Sequence, residues 1–533
     1  MMSLINLFKK PIIFILGIIM IFLPSQLMVI FGEKYIDLYL ITGIPILEKK
    51  ILTVLYLSAC VFGFVALYYP KIQNKIGGGK QKKLGSASFK SGRDFLQKEG
   101  AIIGKMTKGN KVDYLRFNGS GHLMTIAPTR SGKGVSAIIP NLLDYPHSVI
   151  VTDPKGENYA ITQRRRKEMG STVLALDPFA VVEMNGAKFN PLDLINPSHP
   201  DALDECRSIA DLLVYSNESS AETEYFNNEA KSLLTGLIFF ASTLPKTQRN
   251  LLSVRAVLEL PEDDLKEFME IKQNDTSCPP LKSASARFLQ KADKERSAVL
   301  STAQNHTHFL ESPRMRTILS ASTVNLDQLG SLSLSIFLIL PPHRLDSYAR
   351  WLRLMVGSIT LSITSKNKKT EHPVLFLLDE FANLGKMELI KKAYSLMAGY
   401  GLNLWAFLQD LNQLKALYKD NWETFLGNSD IIQFFGTNDF FTAEYASKLI
   451  GDTTVYAENS GHNKSGKPTE LFGSKSVGQS EQARKLLNPD EIRRLDQNKI
   501  LIVSKGQNPV MASKPTYYKD KFFKDKFDSS GYN

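Results

Sequence analysis

Ala127-Pro-Thr-Arg-Ser-Gly-Lys-Gly134 follows directly on the short apolar run Leu123-Met-Thr-Ile126 and precedes an apolar, helix-like segment over residues 135–143. A strand, a tight Gly/Ser loop ending in Gly-Lys and then a helix is an architecture that cradles nucleotide phosphates. Backbone N–H groups of the loop and of the helix N-terminus point at the anion, and Lys133 adds a mobile positive charge. Thr129, Arg130, Ser131, Gly132, Lys133, Gly134 and Val135 are therefore the candidate nucleotide-contacting residues. The loop departs from G-x-x-x-x-G-K-[ST] at both ends. Ala127 stands at the first glycine, and Gly134 stands where a Mg²⁺-binding hydroxyl belongs.

The second half of such a site is Val374-Leu-Phe-Leu-Leu-Asp-Glu380. An uninterrupted apolar run between Pro373 and two acids reads as a buried parallel strand, covered on both faces. Asp379 at its carboxyl end is the candidate Mg²⁺ ligand. Glu380 is the candidate base that orients and deprotonates an attacking water.

Further strands surround this pair. Ser148-Val-Ile-Val-Thr152 ends at Asp153, Thr172-Val-Leu-Ala-Leu176 at Asp177, and residues 334–340 at a Pro-Pro-His-Arg turn. Residues 403–408 end at Gln409 and residues 430–435 at Gly436-Thr-Asn438. In a parallel α/β sheet, ligands bind at the carboxyl ends of the strands, and this chain concentrates its polar chemistry there. Residues 201–320 break the rhythm: helical spacing such as Leu203, Cys206, Ile209 and Leu213 predicts an all-α insertion. Residues 459–480, rich in Gly, Ser, Lys and Asn, read as a mobile loop, and residues 519–533 as a frayed, charged tail.

The chain has 533 residues, enough for more than one core. Residues 11–32 and 51–70 contain no charge, and each is long enough to cross a hydrocarbon core of roughly 30 Å as a helix. Lys9 and Lys10 precede the first span; Lys71, Lys75, Lys80, Lys82 and Lys83 follow the second. Positive flanks stay cytoplasmic, so both termini and the large C-terminal part are expected on the cytoplasmic side of a membrane. The lysine cluster is also expected to meet anionic lipid. Net charge is +12, which permits nucleic-acid contact without proving it. Cys60, Cys206 and Cys278 are far apart, and neither they nor the eight histidines show metal-ligand spacing.

The chain resembles the TraG family of type IV secretion coupling proteins. Besides the two nucleotide motifs, the resemblance rests on Gly85-Ser-Ala87, Ile138-Ile-Pro-Asn-Leu-Leu143, Asp153-Pro-Lys-Gly-Glu157, Pro341-Pro-His-Arg-Leu-Asp346, Gly399-Tyr-Gly401, Gln409-Asp-Leu-Asn-Gln413 and Leu486-Leu-Asn-Pro-Asp-Glu491. It implies a RecA-like P-loop NTPase core with a mostly parallel sheet, an all-α inserted domain and an N-terminal two-helix membrane anchor. The expected division is 1–70 anchor, 71–200 and 321–518 nucleotide-binding domain, 201–320 insertion and 519–533 tail. The resemblance further implies an ATP- and Mg-dependent, homo-hexameric motor. Such a motor recruits relaxase-bound single-stranded DNA, effector proteins or both, and passes them to inner-membrane components of a secretion channel. Gly134 is a substitution that the family tolerates. Gln409 matches the family's glutamine after a core strand, suited to sense the γ-phosphate. Some relatives carry an arginine ahead of that glutamine; Met397-Ala-Gly399 has none, which leaves Arg344, Arg350 and Arg353 as substitutes to test.

Two other readings compete. A DNA translocase of the FtsK type shares the core and an anchor, but would be expected to have more spans and a C-terminal winged helix. A non-hydrolysing membrane receptor would keep the fold as a scaffold, and intact Lys133, Asp379 and Glu380 argue against it.

Overall fold

Mostly apolar residues make all seven predicted runs into strands, six of them buried on both faces and the seventh, Thr172–Leu176, buried only towards its carboxyl end. The computed structural model describes residues 84–109, 111–216, 220–365, 370–462 and 475–529. The expected spans 11–32 and 51–70 lie outside these. Among the described residues no helix is long and apolar enough to cross a membrane.

The strands in chain order are β1 (Ala101–Lys108), β2 (Lys111–Phe117), β3 (His122–Ile126), β4 (Val149–Thr152), β5 (Thr172–Leu176), β6 (Leu334–Leu338), β7 (Val374–Leu378), β8 (Leu402–Leu408), β9 (Ser429–Phe434), β10 (Asp452–His462), β11 (Lys475–Lys485), β12 (Lys499–Ser504) and β13 (Val510–Ser513). Eleven form one sheet in the order β2-β1-β13-β12-β9-β3-β8-β7-β4-β6-β5. From β9 to β5 every pairing is parallel, and these are the seven strands that the apolar runs predict. Side chains alternate between two cores: Val374, Phe376 and Leu378 of β7 enter one, Leu375 and Leu377 the other. The fold is mixed α/β with a mostly parallel sheet.

The remaining sheet strands are antiparallel. β12 pairs with β9, β13 with β12, β1 with β13 and β2 with β1. A separate hairpin pairs β10 with β11 as far as His462↔Lys475. The loop expected over residues 459–480 is therefore shorter at the level of the backbone, because 459–462 and 475–480 belong to paired strands.

The phosphate loop leads into a π-helical turn, Gly134–Ile138, and then α1 (Ile139–Asp144); α2 (Glu157–Glu168) follows β4. Between β5 and β6 all regular elements among the described residues are helical: α3 (Ala202–Leu213), α4 (Ala221–Thr243), α5 (Leu251–Leu258), α6 (Glu262–Asn274), α7 (Pro279–Leu289), α8 (Asp293–Thr307) and α9 (Pro313–Leu319), with three 3₁₀ turns, Pro191–Leu194, His308–Glu311 and Leu326–Gln328. Their starts are written in the sequence. The Ser220 hydroxyl accepts from the Thr223 N–H at 3.1 Å, and the Asn250 side chain accepts from Leu252 and Ser253. The apolar interior of these helices is continuous with that of the sheet. Cys206, Ile209 and Leu213 on α3 and Leu233 and Leu237 on α4 share one apolar cluster with Ile336 and Phe376 of the sheet. α3 meets α10 (Leu345–Thr364) at Gly357, where a Cβ would fall 2.2 Å from Leu212. The later helices are α11 (Glu388–Leu396), α12 (Leu411–Tyr418), α13 (Glu423–Gly427), α14 (Phe440–Ile450) and α15 (Pro489–Arg493).

The frayed tail expected from residue 519 is corrected for 519–529. Phe523 is fully buried in a small cluster with Ile102, Ile139, Leu143 and Ile161. Asp520 pairs with Lys105 and accepts from the Tyr114 hydroxyl at 3.1 Å; Asp528 pairs with Arg164 at 2.8 Å. The lysines and aspartates that suggest a solvated tail instead flank one aromatic anchor. Phe523→Ala is expected to cost about 3–5 kcal/mol, as for a buried aromatic in a filled site. The check is the thermal unfolding midpoint of the purified chain; an unchanged midpoint would show that the segment contributes nothing.

Candidate functional site

Strand order converts distant sequence motifs into neighbours. β3, β8, β7 and β4 lie side by side, in register at their carboxyl ends: Ile126 opposite Leu408, Leu378 opposite Ala406, Thr152 opposite Leu378. The residues that follow these ends are the phosphate loop, Gln409, Asp379-Glu380 and Asp153. Three adjacent strands thus supply all four predicted catalytic and metal-binding side chains.

The loop turns sharply because two residues adopt the left-handed region: Arg130 at φ 63° and Gly132 at φ 88°. The Ser131 N–H donates to the Pro128 carbonyl at 3.0 Å and closes the turn. Thr129 and Arg130 are exposed at its crest, whereas Ser131, Gly132, Lys133, Gly134 and Val135 are half-buried. Position 134 carries no side chain, so no hydroxyl stands where the usual motif places one.

Lys133 is held between both acids. Its ammonium lies 3.0 Å from Asp379 Oδ1 and pairs with Glu380 Oε1. The Gln409 amide donates to Glu380 Oε2 at 3.1 Å, which joins the fourth residue to the group. Glu380 reaches this position through a left-handed backbone, φ 51°, a conformation that costs energy for a non-glycine residue and collects at functional sites. Its own N–H donates to Asp379 Oδ1 at 3.0 Å, and the Thr152 hydroxyl donates to the Asp379 carbonyl at 2.8 Å. Sequence reasoning missed Thr152, whose role as a strand-end brace leaves no motif.

The electrostatics follow from burial and from these pairs. Burial alone would push the Lys133 ammonium down, but Asp379 and Glu380 outweigh it and hold the lysine above its ordinary range. Burial raises the Asp379 carboxyl, with Lys133 opposing. Asp153, 1% exposed, is pushed up to about 7 by burial, although it accepts from the Tyr159 N–H at 2.9 Å.

This donor set fits a polyphosphate with a divalent cation. The two carboxylates already share a cationic partner, and the Ser131 hydroxyl is buried beside the loop without a hydrogen-bond partner. Asp379 would hold the metal and Lys133 the phosphates.

Residues 82–530 match the family model described as type IV secretory system conjugative DNA transfer. A conjugal transfer protein TraG of Escherichia coli is 30% identical over 468 residues, 81% of this chain and 73% of that one. The chain belongs to the TraG family of type IV secretion coupling proteins. It is also 30% identical over 443 residues to the protein VirD4 of Agrobacterium fabrum, covering 81% of this chain and 64% of the relative. Among solved structures, the plasmid coupling protein TrwB in complex with the non-hydrolysable ATP analogue ADPNP aligns with a TM-score of 0.62 at 16% identity, over 82% of this chain and 96% of TrwB. TrwB with ADP and Mg²⁺ aligns at 0.59 and 16%, over 81% and 97%. At that identity the likeness is one of fold.

The three arginines considered for this coupling protein differ in kind. Arg353 is 2% exposed, donates to the carbonyls of Leu212, Leu384 and Lys386 at 3.3, 2.6 and 2.8 Å, and stacks over Tyr215. It is a structural strut and is not available to another subunit. Arg344 lies in a 3₁₀ turn ahead of α10 and is exposed. Arg350 donates to His306 Nδ1 at 3.1 Å, and the other ring nitrogen of His306 donates to the Asn227 side chain at 2.9 Å.

That arrangement requires neutral His306, and burial, then Arg350, pushes it down to about 4. Between that value and the ordinary histidine pKa of about 6.5, the unfolded chain binds a proton that the folded chain does not. Stability is therefore lost as pH falls through this window, by up to about 1.4 kcal/mol per unit from this group. His306→Gln is expected to flatten that part of the midpoint-against-pH curve; parallel curves for the two proteins would contradict it.

Proposed function

We propose that the chain is an inner-membrane ATPase that couples nucleotide hydrolysis to transfer of macromolecules into a type IV secretion channel. The observation that carries this reading is the convergence of Lys133, Asp379, Glu380 and Gln409 at three adjacent strand ends. Lys133 would leave the two acids for the β- and γ-phosphates of ATP, and Asp379 would then serve the metal. Mg²⁺ bound there supplies charge neutralisation on the phosphates. Glu380, released from Lys133, would orient and deprotonate water, and Gln409, already bonded to Glu380, would report the γ-phosphate to α12.

The finer features are part of the same proposal. Residues 11–32 and 51–70 would anchor the chain with both termini and the ATPase in the cytoplasm, and the lysines between 71 and 83 would meet anionic lipid. Copies would assemble as a homo-hexamer against inner-membrane channel components. Residues 201–320 would form the inserted domain that recruits relaxase-bound single-stranded DNA, effector proteins or both.

The test is phosphate release from the full chain purified in detergent, with and without Mg²⁺. Mg²⁺-dependent release is expected. Tight ATP binding with no release would favour a non-hydrolysing receptor.

A further inference from the structure

A second lysine touches the phosphate loop from the far end of the chain. Lys514 follows β13 directly, and Pro515 ends the strand there. Its backbone N–H donates to the Asn498 carbonyl at 2.8 Å, so its place is fixed from the β12 side. The ammonium donates to the Ser131 carbonyl at 2.8 Å and to the Phe435 carbonyl at 3.4 Å, 4.6 Å above the Phe435 ring. Phe435 in turn bonds to the Ile126 carbonyl at 3.0 Å, the last residue of the strand that enters the loop. Lys514 therefore clasps the loop and its parent strand together.

Among the described residues the charge itself has no counter-ion in contact. Lys514 is 7% exposed, and among the described residues no carboxylate lies within 4 Å of it. Burial lowers it to about 8, with Asp496 opposing at longer range. A buried cation served only by carbonyls and an aromatic face is costly to keep unless an anion completes its surroundings. The Ser131 hydroxyl, buried and unpartnered on the same loop residue, points to the same kind of ligand.

We propose that Lys514 is a second phosphate-directed cation of the nucleotide site: it positions the loop through the Ser131 carbonyl and offsets the negative charge of a bound polyphosphate. The proposal rests on the nucleotide reading above and adds to it a residue from the antiparallel end of the sheet. Lys133 would meet the phosphates on the side of Asp379, and Lys514 on the side of Ser131.

The test uses the full chain in detergent and calorimetric titration with ATP, inorganic tripolyphosphate and adenosine. Lys514→Met is expected to weaken ATP and tripolyphosphate by about tenfold or more, the weight of one charge-assisted contact, and to leave adenosine unchanged. Equal losses for ATP and adenosine, or unchanged tripolyphosphate affinity, overturn the proposal. A second measurement needs no variant. In the wild-type chain, tripolyphosphate is expected to slow acylation of the Lys514 amine as it slows that of Lys133. Protection of Lys133 without Lys514 also overturns it. If Lys133→Ala binds ATP with wild-type affinity, the nucleotide reading falls instead, whatever Lys514 does.

Discussion

Lys133→Ala is expected to abolish ATP hydrolysis and substrate transfer, with a loss of at least about 10²–10³-fold, the effect of removing one preorganised electrostatic contact to the developing charge. The ammonium is the one cation of this site in contact with both Asp379 and Glu380 among the described residues, so its loss leaves two adjacent carboxylates unopposed. Neither nearby cation replaces it. Arg130 is exposed at the loop crest, and Lys514, on the Ser131 side of the loop, forms no ion pair with Asp379 or Glu380 among the described residues. Phosphate release by the purified variant is the measurement, alongside a transfer assay in cells. Hydrolysis near the wild-type rate would remove the phosphate-loop assignment altogether.

Glu380→Gln and Asp379→Ala should separate two roles that lie one residue apart. Glutamine in place of Glu380 keeps the size and can still bond to Gln409, but it cannot take a proton. Hydrolysis is expected to fall by about 10²–10⁴-fold, the worth of a positioned general base, while Mg²⁺·ATP stays bound. Asp379 is different: it receives the Glu380 N–H and its backbone carbonyl is braced by Thr152, so its carboxylate is fixed in place. Asp379→Ala is expected to lose the Mg²⁺-dependent part of nucleotide affinity. Titrations of ATP with and without Mg²⁺ decide the matter. Equal, wild-type affinity in both variants would mean that the two carboxylates do not divide the work in this way.

The site was legible to the extent that its chemistry lies beside strand ends. A strand buried on both faces leaves a run of apolar residues, as six of the seven parallel strands do, and the edge strand β5 leaves a mostly apolar run although only its carboxyl end is buried. Their carboxyl-end residues then follow by inspection, as Lys133, Asp379, Glu380 and Gln409 did. The antiparallel strands were not legible, because β1 runs from buried to exposed, β2 from exposed to buried, and both carry charged residues, Lys105, Lys108, Lys111 and Asp113. Lys514 was hidden for a further reason: 383 residues separate it from Ser131, and a lysine before a proline signals nothing locally. Phe523 was misread because its neighbours are charged, and composition cannot tell one buried ring from a solvated tail. The arginines needed coordinates too, since Arg353 and Arg344 look alike in sequence and differ in every contact.

The order of strands also has a consequence for how the chain is made. β3 enters the sheet between β8 and β9, and β1 between β2 and β13. A ribosome delivers the phosphate loop long before the strands that flank it, and the lysine that clasps that loop is 383 positions further on. Until then, β3 and β4 present open edges and apolar faces, which invite pairing with other chains. Nascent copies held at a crowded surface would be especially exposed to such cross-pairing. The interval between synthesis of the loop and closure of the sheet is thus the stage at which this fold most needs a chaperone's protection.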